Sequence, residues 1–210
     1  MLNGNVALIL AAGASTRMGT CKANLPWVEG TTLLTYQVNQ WLLAGVSPIV
    51  VLGPHNAQLQ HSLPPDTQVA INPAPSVGKT SSILIGLEKI SVAWKVLAIA
   101  AVDQPRPTWI YQTLLREHFQ QSKPITAPIY QTRLGHPLLF ASEMLPHLKA
   151  IQEESLGLRQ LITAFKLSIN AVEVDAPIVL VDLNTPEIYQ RTLHSFCNTC
   201  DSNSNLKAHP

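Results

Sequence analysis

The sequence predicts an α/β protein with a mostly parallel sheet that is covered by helices on both faces. Three short runs, residues 6–10, 48–52 and 96–102, consist almost entirely of apolar, β-prone residues. Continuous apolar runs of this length suit strands that are buried on both faces. Segments with apolar residues at helical spacing lie between them, and strands that alternate with helices through short loops form parallel sheets.

The other elements follow from local patterns. Thr31 and Thr32 are suitable caps for a helix that ends near Gly45, and Thr108 is a suitable cap for another. Pro186 suits the first turn of the last helix, which we expect to end near His194. Further predicted helices cover 56–62, 81–90, 108–119 and 156–165, and further predicted strands cover 68–71, 125–129, 137–140, 167–174 and 178–181.

Composition narrows the class of protein. With 210 residues, 46% hydrophobic and 13% charged, the chain can bury a large core, and a net charge of +1 gives no electrostatic case for binding nucleic acid or a membrane surface. Three cysteines do not make a disulfide framework, so we expect a reduced, cytoplasmic protein. The longest apolar run, 92–102, contains Lys95 and is too short to span a bilayer. Residues 1–196 are predicted to form a single domain, and the polar segment 197–210 a flexible tail.

The first predicted strand runs directly into a loop of small residues and then into cations. Ala11, Ala12 and Gly13 allow close approach to the backbone, and Ser15 offers a hydroxyl. Arg17 and Lys22 follow, as do further hydroxyls. This arrangement is typical of a phosphate-binding loop, although an ordinary strand-to-helix turn with two solvated cations has the same pattern.

Ligands of parallel α/β sheets bind beyond the carboxyl ends of the strands. This rule predicts that the loops at Ala12, Gly53, Asn72 and Asp103 share one crevice. Asp103 directly follows the strongest apolar run, where a carboxylate suits a divalent metal held together with substrate phosphates, although Asp also caps helices. Asp182 follows another apolar run, and the two carboxylates together can bind one Mg²⁺.

Two other loops carry candidate residues. Gly78-Lys79-Thr80 looks like the end of a P-loop, but Pro73 stands where the motif needs Gly, so an ATPase site is not predicted. Gly78, Ser81 and Ser82 at a helix start can donate to a phosphate or a base, or the serines can simply cap the helix. His136, between Gly135 and Pro137, can donate to an anionic acceptor or merely fix its loop. His194, Cys197 and Cys200 form only half of a zinc site, and we expect no metal there.

Taken together, these segments resemble the MobA-like nucleotidyltransferases, and most closely their molybdenum cofactor cytidylyltransferase branch. Residues 10–22 match the family signature LAAGxSxRMGxxK at every specified position. Residues 72–78 match NPxxxxG, 103–105 match DxP, 135–140 match GHPxLF and 182–187 match DxxTPE, in the family's order.

The resemblance implies a Rossmann-like nucleotidyltransferase fold, Mg²⁺ as cofactor, and transfer of CMP from CTP to the terminal phosphate of molybdopterin. It implies catalytic roles for Arg17, Lys22 and Asp103, and metal binding by Asp103 and Asp182. It also implies a molybdoenzyme or its maturation factor as partner. The implied substrate contacts are Leu10, Ala11, Ala12, Gly13, Ser15, Arg17, Lys22, Asn72, Gly78, Ser81, Ser82, Gln104, Gly135, His136 and Pro137.

Several alternatives stay open at this point. Asn184 stands where many relatives carry a second Asp, so either residue 182 or 184 can complete the metal site. Asn in this motif is typical of the guanylyl branch, which makes GTP the alternative donor. A sugar phosphate is an alternative acceptor, and a nucleotide- or cofactor-binding chaperone is the alternative that is not an enzyme.

Overall fold

A computed structural model describes residues 4–91 and 93–204 of the chain. Within these residues the strands are β1 Asn5–Leu10, β2 Ser47–Leu52, β3 Gln68–Ile71, β4 Val96–Ala101, β5 Ile125–Tyr130, β6 Arg133–Leu134, β7 Leu138–Ala141 and β8 Ile169–Glu173. The α-helices are α1 Leu33–Leu43, α2 Lys79–Lys89, α3 Thr108–Gln120, α4 Leu145–Lys149, α5 Leu158–Ala164 and α6 Pro186–Ser204. No helix in the described part of the chain is long and apolar enough to cross a membrane.

The strands form one mixed sheet in the order β3-β2-β1-β4-β7-β5-β6, and β8 pairs with β5. The pairs β1–β2, β1–β4, β2–β3 and β5–β8 are parallel. β7 runs antiparallel between β4 and β5, and β6 forms a short antiparallel pair with β5. The predicted mostly parallel α/β fold is confirmed, with these two antiparallel strands added.

Helices cover both faces because alternate residues of each strand point to opposite sides. Ile9 and Val50 lie on the face covered by α1 and α3, where Trp41 and Tyr111 stack with ring centroids 3.6 Å apart. Leu8 and Ile49 lie on the other face, under α2, α4 and α5. The core therefore consists of two layers that fix the positions of the strand ends.

Local signals at the ends of α1 predicted its structure correctly. The Thr32 hydroxyl accepts a hydrogen bond from the Thr35 N–H at 3.2 Å, which caps the first turn. At the other end Gly45 has a φ of 75°, a conformation that glycine adopts without steric cost. Thr108, by contrast, is not a cap but the first residue of α3, and its N–H donates to Gln40 Oε1 at 2.8 Å.

The predicted strand 178–181 is wrong, because residues Pro177–Leu180 form a 3-10 helix. Pro177 has no N–H to donate to a neighbouring strand. The carbonyl groups of Val179 and Val181 accept hydrogen bonds from the Arg106 guanidinium instead of from a strand. A buried side chain distant in sequence thus replaces the sheet as the partner of this backbone.

Other boundaries differ from the predictions for similar reasons. α2 begins at Lys79 rather than at residue 81, and its first turn is capped from outside by Glu153. α5 begins at Leu158 because Leu156 and Gly157 both have positive φ. Strand β8 begins at Ile169, where its pairing with β5 starts, and a 3-10 turn occupies 166–168.

Two more predicted helices differ in type or length. Residues Pro54–Ser62 form a 3-10 helix with a kink at Asn56, whose side chain bonds to neighbouring loops. The last helix, α6, runs to Ser204, about three turns beyond the predicted end at His194. Residues 205–210 of the predicted tail lie outside the described chain. The hydrophobic cluster around Trp27 explains part of the extension, since the Phe196 ring lies 5.2 Å from the Trp27 ring.

Candidate active site

Two neighbouring cavities open beyond the carboxyl ends of β1 and β4. The first cavity, of about 460 Å³, is lined by Leu10, Ala12, Gly13, Ser15, Thr16, Lys22, Pro75, Gly78, Lys79, Ser82, Ala101, Val102, Asp103, Glu153 and Asn184. The second cavity, of about 530 Å³, is lined by residues of the same strand ends and of the loops around β6 and α5. Leu10, Lys79, Ala101 and Glu153 line both, so these residues form the partition between the cavities.

The loop after β1 is held in place from the loop after β2. The Ala11 N–H donates to the Val51 carbonyl at 2.8 Å, and Asn56 Nδ2 donates to the Ala11 carbonyl at 2.9 Å. The Asn56 side chain also accepts the Gly53 N–H at 2.9 Å. The strand-end rule predicted that Gly53 lines the crevice, and this prediction is wrong. Gly53 supports the loop that lines it.

Farther along this loop, the backbone turns back toward Lys22. Ser15 has a left-handed φ of 54°, and its hydroxyl accepts the Lys22 N–H at 3.2 Å. The backbone of Arg17 lies in the 3-10 turn Thr16–Met18, and its side chain lies outside the described part of the structure. The loop thus surrounds one side of the first cavity with small residues and hydroxyls.

Gly13 leaves space in the first cavity that the protein itself does not fill. A Cβ at this position would meet no atom within 4 Å, and the φ of Gly13 lies outside the left-handed range. Neither backbone geometry nor protein packing therefore requires a glycine here. A ligand that approaches the backbone closely would require one, as phosphates do in glycine loops.

Lys22 links the loop after β1 to two other loops of the site. Its Nζ donates to Asp103 Oδ2 at 2.7 Å and to Asn184 Oδ1 at 2.8 Å. The side chains of Lys22 and Asp103 are only 11% and 16% exposed, so the ion pair is largely shielded from water. One cation and two oxygen ligands thus meet on the wall of the first cavity.

Asp182 lies in a different position from Asn184, although only one residue separates them in the sequence. Its Oδ1 accepts a hydrogen bond from Gln104 Nε2 at 2.9 Å, and it lines the second cavity rather than the first. Of the two residues left open by the sequence, Asn184 is therefore the one beside Asp103. Within the described chain, no group of three or more His, Cys, Asp or Glu side chains is arranged to hold a metal ion.

The end of β4 is fixed by buried amides. Gln37 Nε2 donates to the carbonyl of Val102, directly before Asp103. Gln104 accepts the Ala101 N–H at 3.1 Å while it donates to Asp182. The Leu183 N–H donates to the Asp103 carbonyl at 2.8 Å, which joins the two aspartate loops directly.

The loop before α2 contributes two of the predicted substrate residues as supports rather than as cavity walls. Asn72 is buried, and its Nδ2 donates to the hydroxyls of Ser81 and Ser82, both at 2.9 Å. Ser81 in turn donates to the Gly78 carbonyl at 2.8 Å. Only Gly78 and Ser82 of this group reach the first cavity.

Arg106 is a structural centre of the site that sequence reasoning missed. Its side chain is fully buried and donates to four carbonyl groups, those of Pro105, His136, Val179 and Val181, at 2.9–3.2 Å. Burial lowers the pKa of Arg106 to about 10, so the guanidinium remains charged at neutral pH. The only available signal was its position directly after the DxP segment.

Gly135 and His136 line the second cavity together with Asp182. A Cβ at Gly135 would lie 2.4 Å from the Val179 carbonyl oxygen, so close packing requires glycine here, and the His136 N–H donates to that same carbonyl at 2.9 Å. Burial lowers the pKa of His136, with a smaller opposing effect from Asp182. The imidazole is therefore neutral near pH 7. Pro137 is buried behind it and lines neither cavity.

Glu153 is a second residue that the sequence did not single out. Its Oε2 accepts the Thr80 N–H at 2.8 Å, and hydrogen bonds from the Thr80 side chain and backbone lower the pKa of Glu153. The carboxyl group packs directly against Gly78, where an added Cβ would lie 2.2 Å from Glu153 Cδ. A carboxylate from the loop before α5 thus caps α2 at the partition.

The structure brings most of the predicted site residues together. Those that line a cavity are Leu10, Ala12, Gly13, Ser15, Lys22, Gly78, Ser82, Asp103, Gln104, Gly135, His136 and Asp182. Those that lie behind the walls are Ala11, Asn72, Ser81 and Pro137. The arrangement can hold a polyanion beside Lys22 and Asp103 and a second ligand beside His136.

Comparisons with known proteins show the family to which the chain belongs. Residues 7–170 match the model of the MobA-like NTP transferase domain. A probable molybdenum cofactor guanylyltransferase of Rhodopirellula baltica is 35% identical over 89 residues, and this match spans 41% of each chain.

Solved structures share the fold over almost the whole chain. Rv0371c of Mycobacterium tuberculosis superposes with a TM-score of 0.78 at 22% identity, covering 92% of this chain and 100% of that one. The same protein is known in complex with manganese, with a TM-score of 0.74 at 19% identity, covering 92% of this chain and 100% of that one. A nucleotidyl transferase of Methanothermobacter thermautotrophicus superposes with a TM-score of 0.78 at 24% identity, covering 94% and 99%. With a family model matched over more than three quarters of its length, the chain belongs to the MobA-like NTP transferase family, a family of nucleotidyltransferases.

Proposed function

We propose that this nucleotidyltransferase moves a nucleoside monophosphate from an NTP to the terminal phosphate of a molybdopterin-type acceptor and releases pyrophosphate. The contact of Lys22 with Asp103 and Asn184 on the wall of the first cavity is the observation that carries the proposal. It supplies a cation and oxygen ligands beside the open space at Gly13, to which we assign the triphosphate. The name of the R. baltica relative supports the acceptor.

The two cavities suit the two substrates. The first has the small-residue loop, hydroxyls and Lys22, which suit the NTP together with the Arg17 of the family signature. The second combines apolar walls from Ile83 and Leu138 with the polar groups of His136, which suits a heterocyclic acceptor that carries a phosphate. The partition is then the place where the acceptor phosphate reaches the α-phosphoryl group.

A hard divalent cation fits the residues present. Asp103 and Asn184 offer oxygen ligands side by side, with Asp182 in the adjoining cavity, and Mg²⁺ is usually bound by one or two carboxylates plus substrate phosphates. When bound, the cation would neutralise charge on the triphosphate and on the leaving pyrophosphate. The manganese complex of Rv0371c supports a divalent cofactor, and we propose Mg²⁺.

The remaining chemistry needs little from the protein beyond position and charge. An oxygen of the acceptor phosphate is already ionised at neutral pH, so it attacks the α-phosphorus without a general base. Lys22 stabilises negative charge on the triphosphate, and the neutral His136 can donate a hydrogen bond to the acceptor. In-line placement of the two substrates then supplies most of the remaining rate enhancement.

GTP is the donor that we propose first, because the R. baltica relative is named as a probable molybdenum cofactor guanylyltransferase. The initial expectation of CTP has less support from the comparisons. It stays as the second candidate because residues 17–22 and 135–140 match the cytidylyl branch.

The test is a panel of the four NTPs with Mg²⁺ and molybdopterin, in which pyrophosphate release and the mass of the product are measured. We expect the product to be the guanosine dinucleotide form of the cofactor. The cytidine dinucleotide would transfer the proposal to CTP, and a product with a sugar phosphate alone would assign another acceptor. Binding of NTP without pyrophosphate release from any acceptor would support a chaperone.

A further inference from the structure

Lys79 lies at the partition between the two cavities, within the triplet that fails as a P-loop. It is the first residue of α2 and one of the four residues that line both cavities. Its charge acts on His136, in the wall of the second cavity, and on Glu153, which lies at the partition itself. No other Lys or Arg side chain of the described residues lines both cavities.

The charges around the partition leave Lys79 available to a ligand. The Lys22 ammonium is shared between Asp103, Asn184 and, in the proposed reaction, the triphosphate. The Lys79 ammonium makes no hydrogen bond or ion pair with any residue in the described ranges. Glu153 lines both cavities, Asp103 lines the first and Asp182 the second, so two phosphorylated substrates would meet among carboxylates, where a further cation lowers the repulsion.

Local structure does not favour a lysine at this position. The first turn of a helix carries a partial positive charge, which disfavours a cation and favours a carboxylate such as Glu153. The Lys79 side chain is exposed, so it contributes no buried packing to α2. Neither the helix terminus nor buried packing therefore accounts for the residue, whose charge lies at the partition.

We propose that Lys79 is a catalytic residue that binds the attacking phosphate of the acceptor and the α-phosphoryl group of the NTP together. This inference rests on the proposed nucleotidyl transfer. In the step, an oxygen of the acceptor phosphate forms a bond to the α-phosphorus, the bond from that phosphorus to the bridging oxygen breaks, and pyrophosphate leaves with the electron pair. Lys79 gives up no proton, but offsets the repulsion between the two anions as they approach.

The test compares Lys79→Met and Lys79→Arg with Lys89→Met, which removes the same charge from the other, exposed end of α2. We expect Lys79→Met to lower kcat by about 10²-fold, as loss of one transition-state donor does, with the melting temperature unchanged. Lys79→Arg should recover at least about tenfold of this loss, because it restores the charge. Lys89→Met should match the wild type.

Arg159→Met is the control for a general loss of positive charge, since Arg159 lines the second cavity only. It should raise KM for the acceptor and leave kcat unchanged. Lys79→Met acting in this same way, or keeping kcat within about twofold of the wild type, would overturn the proposal.

A readout without the acceptor separates this inference from the proposed function. Equilibrium titration with GTP, CTP and Mg²⁺ should show a dissociation constant raised roughly three- to tenfold in Lys79→Met, about 1 kcal/mol, and unchanged in Lys89→Met. One outcome is that the wild type transfers no nucleotide to molybdopterin while the NTP dissociation constants still differ in this way. In that case the proposed acceptor is wrong, and the contact of Lys79 with the NTP is supported. Equal binding by all three proteins, with or without turnover, contradicts a contact between Lys79 and the NTP.

Discussion

Lys22 and Asp103 form an ion pair, and the residue beside this pair determines which side chains can bind a metal together with Asp103. Asn184 shares the Lys22 ammonium with Asp103, whereas the Asp182 carboxylate is engaged by Gln104. A neutral amide beside Asp103 provides an oxygen ligand without a second negative charge. We therefore place Asp103 and Asn184 at the metal site of the proposed enzyme, with Asp182 in support.

This assignment predicts opposite effects for two single substitutions. Asn184→Asp adds a carboxylate beside Asp103 and should lower the Mg²⁺ concentration for half-maximal activity, by roughly tenfold if the added attraction is about 1.4 kcal/mol. Asp182→Asn keeps the shape of the residue and should change that concentration by no more than about twofold. Both are measured as initial rates over a Mg²⁺ series. The reverse pattern would assign the metal to Asp182.

Asp103 itself should be indispensable. Asp103→Asn removes the negative charge while Asn still fits the space, so we expect turnover to fall by at least about 10²-fold. The urea midpoint should stay near that of the wild type, which separates a catalytic loss from unfolding. A variant that keeps more than a tenth of the wild-type rate has lost less than about 1.4 kcal/mol of transition-state stabilisation. Such a small loss would exclude Asp103 as a metal ligand.

Arg106 should matter for stability rather than for chemistry. Arg106→Met removes four hydrogen bonds to carbonyl groups, of which only that of Val179 keeps another donor among the described residues, the His136 N–H, and we expect it to lower the free energy of unfolding by about 2–4 kcal/mol. Urea unfolding measures this, with Arg106→Lys as a milder variant. Arg116→Met is the control, since that side chain is 59% exposed and should change stability by no more than about 0.5 kcal/mol. If Arg106→Met lowers the free energy of unfolding no more than Arg116→Met does, the contacts of Arg106 with the carbonyl groups contribute little.

At the scale of the elements, the sequence predicted correctly those strands and helix ends whose structure depends on neighbouring residues alone. The buried runs of β1, β2 and β4 and the cap at Thr32 lie where the sequence indicates. The segment 178–181 has the same apolar character but turns into a 3-10 helix, because Arg106 binds its carbonyl groups. That partner is more than 70 residues away, and no local pattern contains it.

The same limit applies to the candidate site. Signature residues such as Lys22 and His136 were predictable from type and spacing, and the structure places them in the cavity walls. Asn56 and Glu153 act through contacts between distant segments, so their roles depend on how the loops assemble. The choice between Asp182 and Asn184 likewise depends on side-chain partners that sequence spacing does not contain.

The cap on α2 gives a prediction with a defined pH dependence. The pKa of Glu153 is lowered in the folded protein, so its carboxylate contributes stability above the ordinary Glu pKa, and this contribution is lost as the pH falls through the lowered value. Because the group is largely exposed, Glu153→Gln should lower the melting temperature by only about 1–3 °C at pH 7. The difference should shrink below about pH 4.5. Glu154→Gln, at an exposed neighbour, is the control. A shift in Glu154→Gln as large as that in Glu153→Gln, or a shift in Glu153→Gln that does not change with pH, would contradict the cap.

At the scale of the whole molecule, α6 connects the end of the chain to the loop that follows Lys22. Phe196 packs against Trp27 and Tyr36, with ring centroids 5.2 and 5.8 Å away, and the Tyr189 hydroxyl donates to the Pro26 carbonyl. Leu183, next to Asp182, lies in the same buried cluster. The helix therefore holds the Lys22 loop against the segment that carries Asn184.

This connection predicts that a substitution far from both cavities will weaken nucleotide binding. Phe196→Ala removes a half-buried ring from the Trp27 cluster and should lower the free energy of unfolding by about 1–3 kcal/mol, less than for a fully buried ring. It should also weaken NTP binding, because Lys22 and Asn184 are then held less firmly. Urea unfolding and NTP titration measure the two effects. Leu167→Ala, at a side chain that is 95% exposed, should change neither. A loss of stability with unchanged NTP affinity would show that α6 supports the fold without positioning the site.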